Sequence, residues 1–269
     1  MNAIVASKNR SFTVKPVAEC GVALLGGTAG VGLESAMQFA AAGARVAILG
    51  RNPARGRAAC DAVRERVPGA EAQFFQIDAT NADDAVRAEV EVRAALGAID
   101  VLMCSTGPSH PPQLLHTIPI SEVALRINEI ILPALHMMHA VLPGMRAQKG
   151  GAIVTVASDA AKTATPGETL VGAAMGAIVM FCRAAALEEK RHGIRINLLT
   201  PSLIAGTPGA ALIAGEEFAA RLFEKAAAMA HLGVAESEDL AAMAVFLASP
   251  ATRRMTGQAI SINGGISVA

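Results

Sequence analysis

GVALLGGTAGVGLESAMQFAAAGA, residues 21–44, holds three local structures in succession. Val22–Leu25 is a short apolar run bounded by glycine, which reads as a buried strand. GGTAGVG follows, with Gly26, Gly30 and Gly32 spaced G-x-x-x-G-x-G, and then the alanine-rich helical stretch LESAMQFAAAGA. In that order a helix N-terminus presents unpaired backbone N–H groups and the positive end of its dipole at the tip of a strand. Glycine there permits positive φ and close approach of the backbone to a pyrophosphate. Residues 26–32 therefore read as a dinucleotide-binding turn, with Gly26, Thr28, Ala29, Gly30, Val31 and Gly32 as contacts. The plainer alternative is an ordinary tight turn.

Outward from this turn the alternation of short apolar runs and longer helical stretches continues. Val22–Leu25, Arg45–Leu49, Ala72–Ile77, Val101–Cys104, Ile153–Val156, Ile194–Leu199 and Ala259–Ile262 read as strands, with intervals long enough for crossover helices. Hydrophobic residues make up 52% of the 269 and charged residues 17%, which predicts helices on both faces of a buried parallel sheet. The expected fold is α/β: one doubly wound parallel sheet of about seven strands in three layers, spanning residues 19–269 as a single domain. Residues 1–18 read as an extension, with SFTVK as a candidate edge strand, and residues 208–233 as a helical flap. Right-handed crossovers put the ligand crevice at the carboxyl ends of the strands, where strand order reverses.

Lys plus Arg and Asp plus Glu number 23 each, so no charge excess points to nucleic acid or an anionic membrane. Small molecules, or copies of the same chain, are the expected partners. Cys20, Cys60, Cys104 and Cys182 are scattered without a CxxC pair, as for reduced thiols in a cytoplasm. Cys104 alone reaches the expected site. The N-terminal stretch MNAIVASKNRSFTVKP lacks the apolar core expected of a signal peptide, and no stretch of about 18 residues is apolar without interruption. His136 and His139 are three apart on one expected helix, but without a carboxylate or cysteine at ligand spacing we expect no metal.

The second strand ends in Gly50 and Arg51, where an NAD-preferring site commonly places a carboxylate for the ribose hydroxyls. Arg51, with Arg55 nearby and Asn52 beside it, suits a 2′-phosphate instead, because guanidinium matches phosphate geometry. NADP(H) is thus expected over NAD(H), the alternative for Arg51 being a solvated arginine at a helix start. Asp78, followed by Ala79 after the third strand, is placed to accept a bond from the adenine amino group, or to cap the next helix.

GGTAGVG (26–32), IDVLMCSTG (99–107), IVTVASDA (153–160), HGIRINLLTPSLIAGTP (192–208) and EDLAAMAVFLASPATRRMTGQAISINGG (238–265) together resemble the short-chain dehydrogenase/reductase family over about residues 20–266. The resemblance implies a seven-stranded Rossmann-like sheet and a homodimer or homotetramer. It implies cofactor contacts at Ser105, Thr106 and Gly107, where only the glycine of the family's asparagine-rich turn survives, so the side-chain support of that turn must differ. It also implies contacts at Pro201, Ile204 and Thr207 beside the nicotinamide, and a catalytic serine at Ser158. The family's tyrosine and lysine fall by count on Val171 and Met175, neither of which transfers a proton. The chain contains no tyrosine. Gly172, Ala173 and Gly176 keep the small residues that suit close packing of that helix. The family's catalytic asparagine falls near Asn128 by one count and on Ile130 by another, two residues that differ by about 200° around a helix.

Another proton donor is then needed, since general-acid help is worth about two to four orders of magnitude. Glu168 lies on the same expected helix face as Val171 and Met175, Lys162 and Asp159 lie in the loop after Ser158, and His110 and His116 lie on the expected substrate side. Each has the plain alternative of a solvated charge. Reduction of an iminium or a conjugated C=C would escape the need for a strong acid. The expected function is an NADP(H)-dependent oxidoreductase acting on a carbonyl, imine or conjugated C=C without the tyrosine–lysine relay. The alternative is a non-catalytic dinucleotide-binding sensor or partner subunit.

Overall fold

The computed structural model describes Phe12 and residues 14–269. Its seven strands are β1 Gly21–Leu25, β2 Arg45–Gly50, β3 Ala72–Gln76, β4 Val101–Cys104, β5 Gly151–Val156, β6 Ile194–Thr200 and β7 Ala259–Ser261. All pair in parallel in one sheet, ordered β3-β2-β1-β4-β5-β6-β7. Strand ends fall within two residues of those read from the sequence. The α-helices are α1 Gly30–Ala41, α2 Pro53–Arg66, α3 Ala82–Leu96, α4 Ile120–Ala147, α5 Thr169–Glu189, α6 Pro208–Ala214, α7 Glu217–Met229 and α8 Ser237–Ala248. Of the candidate edge strand, Ser11 and Thr13 lie outside the described residues, and Val14 and Lys15 belong to no strand. Lys15 instead pairs with Asp100 at 2.7 Å, and Asp100 also accepts from the Gly21 N–H that opens β1.

Helices on both faces explain why the central strands are unbroken apolar runs. β1, β4 and β6 are buried along their whole length, whereas β3, at the edge, mixes buried and exposed positions. One core gathers Phe39 of α1, Val63 of α2 and Leu247 of α8 against Val22, Leu24 and Met103. The other gathers Val92 of α3, Met138 of α4 and Ile178 of α5 against Leu25, Leu102 and Ile153. Local signals set the helix ends. Asn52 caps α2, with Pro53 in its first turn, Asn81 caps α3, and Gly97 at φ +76° ends α3.

β6 carries two buried polar residues that pin the carboxyl-terminal third to the sheet. The Arg195 guanidinium donates to the carbonyls of Leu247, Ala248 and Thr252, and Asn197 bonds the Met255 carbonyl and the Gln258 N–H. These bonds satisfy the end of α8 from within the core. α5 is long and apolar enough by composition to cross a membrane, although Arg183 interrupts its apolar run. Here it packs on α4 and β6 and buries Ala174, Met175, Ile178, Val179 and Cys182 on one side, while Met180 and Leu187 on the other are exposed.

The chain runs outward from β1 to β3 and then crosses back to β4, so connections leave β1 and β4 in opposite directions. The crevice at their carboxyl ends is where an open α/β sheet binds its ligand.

Candidate active site

The turn after β1 is built from contacts only glycine tolerates. Gly26 (φ +80°) and Gly30 (φ +50°) hold left-handed conformations. A Cβ at Gly32 would lie 2.2 Å from the Gly26 carbonyl oxygen and 2.5 Å from Ser105 Oγ. Ser105 bridges the switch point: its N–H donates to the Leu25 carbonyl at 2.9 Å, and its hydroxyl donates toward the Leu25 carbonyl at 3.2 Å. The side-chain support that the altered turn lacked in the sequence is thus Ser105. Ala29 opens α1 in extended conformation without a side-chain cap, and the first bond of the helix runs from the Leu33 N–H to the Ala29 carbonyl. The first-turn N–H groups of Gly30, Val31 and Gly32 have no protein acceptor among the described residues, which fits a pyrophosphate.

At the end of β2, Arg51 is exposed and no carboxylate pairs with it or with Arg55 among the described residues. Asn52 spends its side-chain oxygen on the Arg55 N–H. Asp78 is exposed and accepts from the Thr80 N–H and hydroxyl through Oδ1 alone. Asn81, not Asp78, caps α3. Asp84 accepts from the Asp78 N–H and from Arg87, and these bonds hold its carboxyl below the usual range. Arg51 and Asp78 line a surface cavity of about 670 Å³ with Phe74, Ile77 and Arg87. It opens at the β3 edge, beside the adenosine end of the expected site rather than over the β1–β4 crevice. The Ala79 carbonyl is taken by His136 Nδ1 at 2.9 Å, while His139 is exposed.

On the other side of the crevice, Ser158 ends the segment after β5. Its Oγ accepts from the Ala160 N–H at 3.2 Å, which leaves the hydroxyl proton to donate to a substrate oxygen. Asp159 donates its N–H to the Pro201 carbonyl at 2.7 Å and accepts from Ser267 Oγ at 2.6 Å. Lys162 is drawn away to Ser261 and the Ala269 carbonyl, and burial lowers its pKa. Glu168, which precedes α5, is partly buried. Desolvation pushes its carboxyl up to about 7, the nearby Asp159 adding to the shift and a Thr165 hydroxyl bond opposing it.

Pro201 is buried, Ile204 bridges to Ala235, and Thr207 caps α6 by accepting from the Ala210 N–H. Thr207 also donates to the Ile204 carbonyl at 2.9 Å, so its hydroxyl proton is used within the chain. Thr207 and Pro208 stand over the glycine turn, 3.3 Å from where a Cβ on Gly30 would lie. Further along the helical segment, Phe218 at the start of α7 abuts Gly167 so closely that a Cβ there would lie 2.6 Å from its ring. Residues 208–233 thus touch the expected site at Pro208 and at Phe218. Cys104 does not reach it: the thiol is 1% exposed in the core, and burial raises its pKa.

Residues 26–267 match the family profile described as enoyl-(acyl carrier protein) reductase. The chain belongs to the short-chain dehydrogenase/reductase family. It is 30% identical over 249 residues to momilactone A synthase of Oryza sativa subsp. japonica, covering 91% of this chain and 89% of that one. It is 29% identical over 243 residues to a 3-oxoacyl-(acyl-carrier-protein) reductase of Chlamydia trachomatis serovar D, covering 90% and 95%. A short-chain type dehydrogenase/reductase from Mycobacterium ulcerans is similar in structure, at TM-score 0.85 and 27% identity over 92% of this chain and 89% of the other. Levodione reductase, at 24% identity over 92% of this chain and 97% of its own, shares the fold at TM-score 0.85.

In this short-chain dehydrogenase/reductase, the positions counted for the tyrosine and lysine directly precede Gly172 and Gly176, the glycines by which α5 approaches the loop after Ser158. Gly172 packs there, a Cβ on it meeting the Ala160 carbonyl at 2.9 Å. Val171 is partly buried against the core, and Met175, 3% exposed, is inside it. Ala173, expected at the packed face, is exposed, and Gly176 makes only ordinary contact. Asn128 is exposed on α4 and bonds to no other candidate among the described residues, while Ile130 is buried in the core. His110 sits 3.1 Å from Ser109 Oγ and 3.8 Å from Glu129, with 42% of its side chain exposed. His116 is exposed. Sequence reasoning missed the supporting role of Ser105 and the contact of Phe218 with Gly167, because neither has a local signature.

Proposed function

We propose that the protein is an NADP(H)-dependent oxidoreductase that acts on a small organic substrate and works without the family's tyrosine–lysine relay. The reacting bond is a carbonyl, an imine or a conjugated C=C. The observation that carries this reading is the pairing of uncapped first-turn N–H groups on α1 with the donor-ready Ser158 across the β1–β4 crevice, in a chain that has no tyrosine. Gly26, Thr28, Ala29, Gly30, Val31 and Gly32 would hold the pyrophosphate. Arg51 would meet the 2′-phosphate, aided by the backbone of Asn52, and Asp78 and Ala79 would border the adenine. Ser105, Thr106 and Gly107 would line the ribose, and Pro201, Ile204 and Thr207 the nicotinamide. When bound, the reduced dinucleotide supplies hydride.

The chain's own residues then orient and shield. Ser158 donates a hydrogen bond to the substrate oxygen or nitrogen and polarises it. Val171 gives the pocket an apolar wall, and residues 208–233 close as a flap that excludes water. Asn128 takes part only if its exposed side chain turns inward on substrate binding. The reductase and dehydrogenase/reductase names of two relatives favour turnover over a non-catalytic role. We place the protein in the cytoplasm, as a homodimer or homotetramer, with its four thiols buried and reduced.

The test is oxidation of NADPH by purified protein against a panel of carbonyl, imine and enoyl compounds. We expect turnover with at least one class, and Ser158→Ala should slow it about 100-fold. Equal rates for the variant would refute the role of Ser158.

A further inference from the structure

Glu168 stands where three segments of the site meet. Its neighbour Gly167 gives its carbonyl to the Gln113 N–H of the β4–α4 loop at 2.9 Å. The same glycine, at φ +83°, lies under the Phe218 ring of α7. One turn further along α5, Gly172 packs on the Ala160 carbonyl, two residues from Ser158. Glu168 is the N-cap of α5, and its carbonyl accepts from the Gly172 N–H at 2.6 Å, so it stands at the end of the helix that meets both the loop after Ser158 and Phe218. It has no ion-pair partner among the described residues.

The other acid–base groups nearby are occupied or turned away. Lys162 is held by Ser261 and the tail, Asp159 by Ser267, and His110 by Ser109 on an exposed loop. From these placements we propose that the carboxyl group of Glu168 gives a proton to, and takes it from, the reacting oxygen of a carbonyl substrate. The proposal rests on the oxidoreductase reading above and narrows it to carbonyl–alcohol chemistry.

In the reductive direction the Oε–H bond of Glu168 breaks and its proton bonds to the substrate oxygen. The C=O π electrons move onto that oxygen as the dinucleotide's hydride, with its electron pair, adds to the carbon. The alcohol leaves, and the Glu168 carboxylate regains a proton from solvent. Ser158 holds the oxygen throughout. A carboxyl pushed up to about 7 is poised for this at neutral pH. Asp159, in the turn after β5, is the charged group that bears on it. α7 abuts with the uncharged Phe218, and the Gln113 side chain of the facing loop is held by Arg126.

The experiment measures NADPH-dependent reduction of ethyl acetoacetate and benzaldehyde against pH for the wild type, Glu168→Gln and Glu168→Asp. Alongside it, carbon NMR of glutamate-labelled protein follows the side-chain carboxyls. We expect the wild-type rate to fall tenfold per pH unit above about pH 7, and Glu168→Gln to lose about 100-fold and that pH limb. Glu168→Asp should keep the limb at a reduced rate. One carboxyl should titrate near neutrality and vanish in Glu168→Gln. Wild-type turnover matched by Glu168→Gln in rate and profile, or no carboxyl titrating near neutrality, would overturn the role of Glu168 alone. No NADPH oxidation by the wild type with either carbonyl, while imines or enoyl compounds turn over, would overturn the carbonyl assignment. No oxidation with any class would bring down the oxidoreductase reading as well.

Discussion

Arg51 is exposed and makes no ion pair among the described residues, at the strand end where a ribose-binding acid would otherwise stand. If it meets a 2′-phosphate, Arg51→Ala should weaken NADPH binding about 10- to 100-fold, the worth of a charge-assisted hydrogen bond, and leave NADH nearly unchanged. Equal losses in a fluorescence titration would refute the assignment. Some residues were legible from spacing alone. Gly32 is the clearest, because a strand–turn–helix junction this tight has room for nothing larger. Roles that depend on a partner distant in sequence were not legible. Ser105 reaches back 80 residues to the Leu25 carbonyl, and Asp78 yields the cap of α3 to Asn81 because helix starts are readable only to within a few residues.

At the scale of elements, the strands were legible because burial on both faces demands continuous apolar runs, and their ends moved by at most two residues. The facing of α5 was not, since an alanine-rich helix shows little contrast between its sides. Ala173 therefore came out exposed while Gly172 took the close contact with Ala160. The same facing buries Met175, with a consequence for restoring the family's relay. A lysine ammonium at 175 would be desolvated, so Met175→Lys should lower the melting midpoint by about 5–10 °C, a cost of several kcal/mol. Val171→Tyr, at a partly buried site, should be tolerated better. Gain of ketone reduction by the double variant would show the rest of the site to be competent. An unchanged midpoint for Met175→Lys, read by thermal denaturation, would contradict the burial of Met175.

For the molecule as a whole, strand order carries the main conclusion. The reversal between β1 and β4 brings the glycine turn, Ser105, Ser158 and the Thr207–Pro208 corner to one end of the sheet. The α/β fold and its crevice followed from periodicity and glycine spacing, and family membership from motifs spread along the chain. Chemistry did not follow from the scaffold, because the fold persists in a chain without tyrosine. The most direct measurement is transfer of label from NADPH deuterated at C4, followed in the products of the carbonyl, imine and enoyl panel by mass spectrometry. The account predicts deuterium on the reduced carbon of at least one product, with the yield falling in Ser158→Ala. Tight NADPH binding with no deuterium in any product would contradict it.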